Sequence, residues 1–266
     1  MQGMRVSEWI ALGYFVYLAL LAVSRRATLT HRADRVIATS CLATASVLIL
    51  STQPDGASVA RDWIPFVWLV AGYWLPALLV EAPNRAFEQR LLNCDRRIFG
   101  PNGPTRFSGL SAQLFEGAYL FCYPLVPLGF VCLRLAAAAS RADLFWAAVL
   151  PAAFVCYGLL PWIPTRPPRS IESADRQPRG TWIRSWNLRV LDRASVQLNT
   201  FPSGHAAAAV ATALAVGAQL PATGLLFGII ALGIVIGSVT GRYHYAADAF
   251  GGILVGLLAF ALTHVS

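Results

Sequence analysis

The chain has 266 residues, of which 56% are hydrophobic and 13% are charged, and its formal net charge is +8. Soluble domains carry about 25% charged residues, so the composition excludes an ordinary soluble globular protein and indicates one that crosses a membrane several times. We therefore predict an all-α fold, a polytopic transmembrane helical bundle of about eight spans.

The eight apolar stretches approach the length of about 20 residues that a spanning helix needs, and the first two are the shortest. They cover residues 9–24, 36–51, 63–80, 114–138, 144–163, 203–220, 222–240 and 243–264. Small-residue pairs in the last three spans predict close helix packing. These pairs are Gly224/Gly228, Gly233/Gly237 and Gly252/Gly256.

An even number of spans places both termini on one side of the membrane. The opposite side, named side X, then carries the loops at 25–35, 81–113, 164–202 and 241–242. All 21 basic residues are arginines, and most of them lie in these loops. By the positive-inside rule, this distribution predicts that side X is cytoplasmic. The arginines on the other side are Arg5, Arg61, Arg134 and Arg141.

Residues 84–99, in the second of these loops, are too polar to span a membrane. Phe87, Leu91, Cys94 and Ile98 recur at steps of three and four residues, with charges between them. This pattern predicts an amphipathic helix that lies in the headgroup layer, and a solvated connector helix is the alternative.

The third loop opens with a proline-rich stretch and continues as the longest polar segment. The four prolines between 161 and 168 cannot continue a helix, so they stiffen the exit of the fifth span and direct Arg166 and Arg169. A loop as long as 170–200 is typical of a functional segment, although its composition also suits a bilayer interface. Its arginines and tryptophans are Arg176, Arg179, Trp182, Arg184, Trp186, Arg189 and Arg193.

The sixth span begins with the sequence Phe201-Pro202-Ser203-Gly204-His205. Proline is favoured in the first turn of a helix, so we place the helix start at Ser203 to His205. Free backbone N–H groups and the positive end of the helix dipole make such a start a good phosphate site. A lone histidine there is more often a simple cap, but this one is predicted to share side X with many arginines.

The eighth span follows the stretch 240–248, which contains Arg242, His244 and Asp248. Charged groups beside hydrocarbon are costly and usually mark function. If the helix starts near Tyr243, His244 and Asp248 lie four residues apart on one face. The carboxylate then orients the imidazole and stabilises its charged form, as in other His–Asp pairs.

Because successive spans run in opposite directions, the three polar clusters, at 166–169, 201–205 and 242–248, are predicted to meet on side X. Their residue types fit phosphoryl transfer, in which catalysis depends mostly on positioning and charge stabilisation. We assign His244 as the nucleophile that forms a phosphohistidine, His205 as the acid that protonates the leaving oxygen, and Asp248 as the orienting group. The predicted phosphate-binding residues are Arg166, Arg169, Ser203, Gly204 and Arg242. Acidic residues do not group with the histidines, so we predict a reaction without metal or cofactor.

The Pro-Ser-Gly-His sequence at 202–205, followed by the His-x3-Asp spacing of His244 and Asp248, resembles the second and third signature motifs of the type 2 phosphatidic acid phosphatase (PAP2) superfamily. The resemblance runs from about residue 162 to the C-terminus and implies a phosphatase for a lipid phosphate or diphosphate. The chain departs from the usual motifs at two positions. Leu159 stands where the first motif has lysine, and Ser238 lies where the third motif has Ser-Arg, with Arg242 closer to the histidine.

The Arg-Tyr-His-Tyr-x2-Asp form is similar to the branch that contains inositol phosphorylceramide synthases, which transfer a headgroup to a lipid alcohol. Hydrolysis and headgroup phosphotransfer therefore both stay open. A non-enzymatic protein that binds or transports lipid phosphates is a third possibility. The expected partners are a membrane lipid phosphate and the bilayer, with no nucleic acid.

The resemblance also divides the chain in two. Residues 1–113 form N-terminal transmembrane helices with the interfacial helix, and residues 114–266 form a PAP2-like catalytic bundle. The family implies a multi-pass protein of the cell membrane whose site faces away from the cytoplasm. This is opposite to the side that the arginine distribution indicates, and we give the family slightly more weight.

Overall fold

The computed structural model describes residues 3–53, 59–105, 107–136, 141–173, 177–178 and 180–265. Within these ranges the chain forms eleven α-helices, and its β-structure is limited to an isolated bridge between Thr165 and Asn199. The helices are α1 (Val6–Ser24), α2 (Arg26–Ser51), α3 (Val59–Trp74), α4 (Arg85–Phe99), α5 (Gly109–Leu120), α6 (Cys122–Leu135), α7 (Ala142–Leu159), α8 (Trp182–Ala194), α9 (Gly204–Gly217), α10 (Pro221–Thr240) and α11 (Ala246–Val265).

The predicted all-α polytopic bundle is confirmed. In the described part of the chain, six helical segments are long and apolar enough to cross a membrane by length and composition. A seventh span results if α5 and α6, which are bent by 61° relative to each other, count as one. The remaining predicted span, 203–220, is the shorter α9, an apolar helix of 14 residues.

The second predicted span starts earlier than the sequence analysis placed it. Helix α2 begins at Arg26, so most of the predicted loop 25–35 is helical. No proline or glycine occurs between residues 26 and 35 to end a helix. The backbone breaks instead at Thr30, with φ 32° and ψ −109°, and the helix is kinked there.

Helix α9 lies at the centre of the bundle and packs against α6, α7, α10 and α11. Most of its buried residues are alanines, which let these neighbours approach closely. Glycines of α11 face it: a Cβ at Gly252 would lie 2.4 Å from the Ser203 carbonyl oxygen, and one at Gly256 would lie 2.6 Å from that of Ala207. The predicted close packing is therefore confirmed at these positions, whereas Gly228 has open space around its Cα.

Three arginines that the sequence analysis placed opposite side X lie together in one ion-pair cluster. Arg61 pairs with Glu8 at 2.6 Å, while Arg5 and Arg134 pair with Asp62 at 2.8 and 2.6 Å. This cluster joins the start of α1, the start of α3 and the end of α6. These helix ends are therefore on one side of the bundle, as alternating spans require.

Candidate active site

The two histidines selected from the sequence are in contact, although 39 positions separate them in the chain. Nδ1 of His205 lies 3.3 Å from Nε2 of His244, and Nδ1 of His244 lies 3.2 Å from Oδ2 of Asp248. A carboxylate accepts hydrogen bonds, so it favours the tautomer of His244 with the proton on Nδ1. In that tautomer Nε2 keeps a lone pair, which faces the ring of His205.

His244 lies in a turn and not, as predicted, inside a helix that starts near Tyr243. Helix α11 begins three residues later, at Ala246. The chain leaves α10 through Arg242, whose φ of 61° is in the left-handed region, and the N–H groups of Tyr243 and His244 both donate to the carbonyl of Ser238 at 2.9 Å. The turn still brings His244 next to Asp248 in the first turn of α11.

His205 is positioned by the start of α9. Ser203 is the N-cap, and its hydroxyl accepts a hydrogen bond from the N–H of Ala206 at 3.4 Å. We predicted Pro202 in the first turn of this helix, but it precedes the cap residue and lies outside the helix. The N–H of Gly204 donates to the hydroxyl of Thr200 at 3.0 Å. Both groups predicted to hold a phosphate oxygen thus have partners within the protein, and their role as phosphate ligands stays a prediction.

Two of the predicted phosphate-binding arginines bind carboxylates. Arg166 forms two side-chain hydrogen bonds with Glu88, of 3.0 and 2.7 Å. Arg242 is 3% exposed and binds Asp95 at 2.8 Å and Glu172 at 2.6 and 2.7 Å. Burial alone raises the pKa of Glu88, but the hydrogen bonds and charge of Arg166 outweigh it and hold that pKa below its ordinary value. Whether these two arginines also contact phosphate stays a prediction.

Arg169, the third arginine, lines a small cavity together with both histidines. Its guanidinium lies 5.4 Å from the centroid of the Tyr243 ring. The cavity has a volume of about 10 Å³, which is about the space of one water molecule. A phosphate group therefore enters only if the lining moves. The remaining lining residues are Tyr73, Tyr119, Tyr157, Leu191, Ser195, Leu198, Asn199 and Thr200.

These additional lining residues were not found by sequence reasoning. The three tyrosines lie in apolar helices, where an aromatic residue is indistinguishable in sequence from one that packs in the core. Asn199 belongs to the polar loop and could have been noticed as a residue two positions before Phe201. In the structure its N–H donates to the Thr165 carbonyl at 2.6 Å, and its side-chain amide donates to the Tyr243 carbonyl at 2.9 Å. It thereby joins all three polar clusters.

The long loop at 170–200 is not irregular throughout, because it contains α8. The hydroxyl of Thr181 caps this helix by accepting from the N–H of Arg184. Arg184 in turn donates to Glu116 of α5 at 2.8 Å and to the Gly241 carbonyl at 3.0 Å. These hydrogen bonds hold α8 against the turn that carries His244. The tryptophans of this loop face outwards, with Trp182 65% exposed. Arg176 and Arg179 lie outside the described residues.

Helix α4, predicted from residues 84–99, is present, but a different face is buried. Leu91 is inside as predicted, whereas Ile98 is 57% exposed. Glu88 and Asp95 are buried in the positions that the apolar stripe was expected to fill. The helix packs against α11 and supplies the two acidic partners of the arginines. The signal in the sequence was the spacing of these two acids, seven residues apart and thus on the same face as Leu91.

Among the described residues, no group of three or more His, Cys, Asp or Glu side chains is arranged to hold a metal ion. Comparison with known families gives one result: the sequence profile of the PAP2 superfamily matches residues 102–262, which is more than half of the chain. Searches of the curated proteins and of the solved structures give no significant match. The matched segment contains His205, His244 and Asp248, while Glu88 and Asp95 lie before it.

Proposed function

The chain belongs to the PAP2 superfamily, and from this membership we propose that it is an integral-membrane phosphatase that hydrolyses a lipid phosphate or diphosphate through a phosphohistidine. The observation that carries the proposal is the contact between the two imidazoles, with Asp248 behind one of them. A lone pair on His244 and a proton donor on His205 then face the same small space. This is the arrangement that attack on phosphorus with protonation of the leaving oxygen needs.

In the first step, the lone pair of Nε2 of His244 attacks phosphorus. The P–N bond forms while the bond to the leaving oxygen breaks, and that oxygen takes the proton from Nδ1 of His205, which acts as the acid in its imidazolium form and is left neutral. Asp248 stabilises the imidazolium character that His244 gains. Because phosphorus must lie between nitrogens that are 3.3 Å apart, substrate binding has to separate the two rings.

In the second step, His205 accepts a proton from an incoming water. The water oxygen bonds to phosphorus, the P–N bond breaks, and inorganic phosphate leaves with both histidines restored. In a headgroup phosphotransferase, the phosphoryl group on His244 carries the headgroup and a lipid alcohol takes the place of water. The alcohol oxygen bonds to phosphorus as the P–N bond breaks, so a phosphodiester of that alcohol leaves instead of inorganic phosphate, and the two histidines keep the same roles.

We propose Arg169 as the first phosphate ligand among the predicted arginines. It lines the cavity with both histidines, and its guanidinium has no carboxylate partner among the described residues. A guanidinium matches the geometry of phosphate oxygens and stabilises the charge that develops on them. Arg166 and Arg242 have such carboxylate partners, so their contribution to phosphate binding is expected to be smaller.

The proposal is tested with purified protein in detergent and EDTA, supplied with phosphatidic acid or an isoprenyl diphosphate, with and without an acceptor alcohol. Release of inorganic phosphate that is lost in His244→Asn supports the phosphatase. A product that requires the alcohol and appears with little free phosphate indicates a phosphotransferase. Binding without turnover, unchanged in the His205→Asn and His244→Asn variants, contradicts an enzyme and indicates a binding or transport protein.

We also propose that the protein lies in the cell membrane with the site facing away from the cytoplasm. Helix α11 starts at the site and runs away from it, so this orientation places the C-terminus in the cytoplasm. A green fluorescent protein fused to the C-terminus is then expected to fluoresce, since it does not mature after export in the unfolded state. A fusion that does not fluoresce and whose C-terminus is cleaved by external protease would show the opposite orientation.

A further inference from the structure

The part of the chain that precedes the family match contributes a carboxylate to the surroundings of His244. Asp95 lies in α4 and is only 1% exposed. Its Oδ2 atom accepts a hydrogen bond from Nη1 of Arg242 at 2.8 Å, and its Oδ1 atom accepts one from the backbone N–H of Ala246 at 2.9 Å. These partners lie two residues before and two residues after His244. A single buried side chain therefore holds both ends of the turn that carries the histidine.

The backbone of this turn needs support from outside. Arg242 has a φ of 61°, a conformation that residues other than glycine rarely adopt and that persists only where surrounding contacts fix it. Those contacts are the two carboxylates, Asp95 and Glu172, and the N–H of Arg169, which donates to the Arg242 carbonyl at 3.0 Å. At the other end, the N–H of Ala246 belongs to the first turn of α11, where backbone donors have no partner within the helix. Asp95 supplies that partner from another helix.

We propose that Asp95 is a positioning residue for His244: it fixes the turn at 242–246 and thereby aims Nε2 of His244 at phosphorus. The inference rests on the proposed function, in which His244 is the nucleophile. Asp95 does not touch the reacting atoms, so its loss is expected to act on the chemical step more than on substrate binding. A misplacement of a catalytic group by about 1 Å can lower the rate on the order of 100-fold.

The test compares Asp95→Ala and Asp95→Asn with the wild-type protein. Asparagine keeps an oxygen for the N–H of Ala246 but loses the charge opposite Arg242, so the two variants separate the helix cap from the ion pair. Asp34→Asn is the matched control, because Asp34 also pairs with an arginine, Arg26 at 2.8 Å, but its side chain is 46% exposed and outside the site.

Two quantities are measured for each folded variant. The first is kcat and KM for phosphatidic acid or the isoprenyl diphosphate that gives phosphate release. The second is the 15N spectrum of protein labelled at histidine, which is simple because the chain has only four histidines, and in which His244→Asn identifies the signals of His244. The spectrum reports the hydrogen bonding of the imidazole whether or not the protein turns over a substrate.

Asp95→Ala is expected to lower kcat by about 100-fold with KM unchanged and to shift the signals of His244. For Asp95→Asn, both kcat and the signals of His244 are expected to lie between those of Asp95→Ala and the wild type. If Asp95→Ala does not fold, Asp95→Asn alone is compared with the wild type. Unchanged signals of His244, or an unchanged kcat, would overturn the positioning role. If the wild-type protein releases phosphate from no substrate, the proposed function fails, and the spectrum alone decides whether Asp95 fixes His244.

Discussion

At the scale of single residues, the proposed mechanism gives the two imidazoles different tasks. The hydrogen bond between Asp248 and Nδ1 of His244 leaves the lone pair of Nε2 available for attack on phosphorus. His205, by contrast, has no carboxylate partner among the described residues. This asymmetry supports the assignment of His244 as nucleophile and His205 as acid. The two roles predict different responses to the leaving group of the substrate.

His205→Asn is expected to lower kcat/KM for a lipid monophosphate by about 10²–10⁴-fold, because the alkoxide then leaves without a proton. The loss should be much smaller for p-nitrophenyl phosphate, whose phenolate leaves readily without protonation. His244→Asn, the matched variant, should lose both activities because no nucleophile remains. Kinetics with the two substrates measure this difference, and equal losses for both in His205→Asn would contradict the role of acid.

At the scale of elements, α4 links the N-terminal part of the chain to the site through two carboxylates. The pair of Glu88 with Arg166 has a consequence for pH. Because the pKa of Glu88 is lower in the folded protein than in the unfolded chain, the pair stabilises the fold at pH values above the ordinary pKa of glutamate, about 4.3. That contribution is lost as the pH falls through the lower pKa of the folded state.

Glu88→Gln is therefore expected to lower the unfolding midpoint at pH 7 by several degrees, where about 1 kcal/mol corresponds to about 2–4 °C for a chain of this size. The difference in unfolding midpoint between Glu88→Gln and the wild type should shrink as the pH falls below the ordinary pKa of glutamate. Thermal unfolding in detergent between pH 7 and 3 measures it. Glu81→Gln is the control, since Glu81 is exposed and its carboxylate accepts a hydrogen bond from the Thr28 hydroxyl at 3.2 Å instead of pairing with a buried arginine. A difference for Glu88→Gln that stays constant over this range would be inconsistent with the pair.

The elements also show what the sequence can predict and what it cannot. Apolar length located most of the spans, and the two motifs selected His205, His244 and Asp248, which the structure brings together, because both signals are local in the chain. The start of α11 at Ala246 was missed, since the turn at Arg242 depends on a carboxylate from α4. The burial of Asp95 was missed for a related reason. An acidic residue on an amphipathic helix is expected to face solvent, and it can be recognised as buried only when its partner, here Arg242, is known.

Two further errors have local causes that sequence reasoning underestimated. Residues 26–35 are helical on both sides of the kink at Thr30, because they contain no proline or glycine, although their polar composition indicated a loop. Helix α8 was overlooked because Trp182 and Trp186 alternate with arginines, which is typical of an interface. Its start is nonetheless visible in Thr181, a favourable N-cap residue.

At the scale of the whole molecule, the position of the site depends on how closely α11 approaches α9. Gly252→Ala places a methyl group 2.4 Å from the Ser203 carbonyl, so the helices must separate near His205. We expect a loss of about 1–3 kcal/mol in the free energy of unfolding, with reduced activity. Gly228→Ala, also in a spanning helix but with open space around it, should match the wild type. Unfolding in detergent checks both, and equal stability of the two variants would contradict the packing.

We propose that His244 carries the phosphoryl group during the reaction. To test this, the protein is mixed with a lipid phosphate labelled on phosphorus and the reaction is quenched within a turnover. The peptide that contains residues 242–248 is then analysed by mass spectrometry. We expect an acid-labile, alkali-stable phosphoryl group on His244 that forms and decays within a turnover and is missing in His244→Asn. Turnover without any phosphorylated histidine, or with the label on another residue, would contradict it.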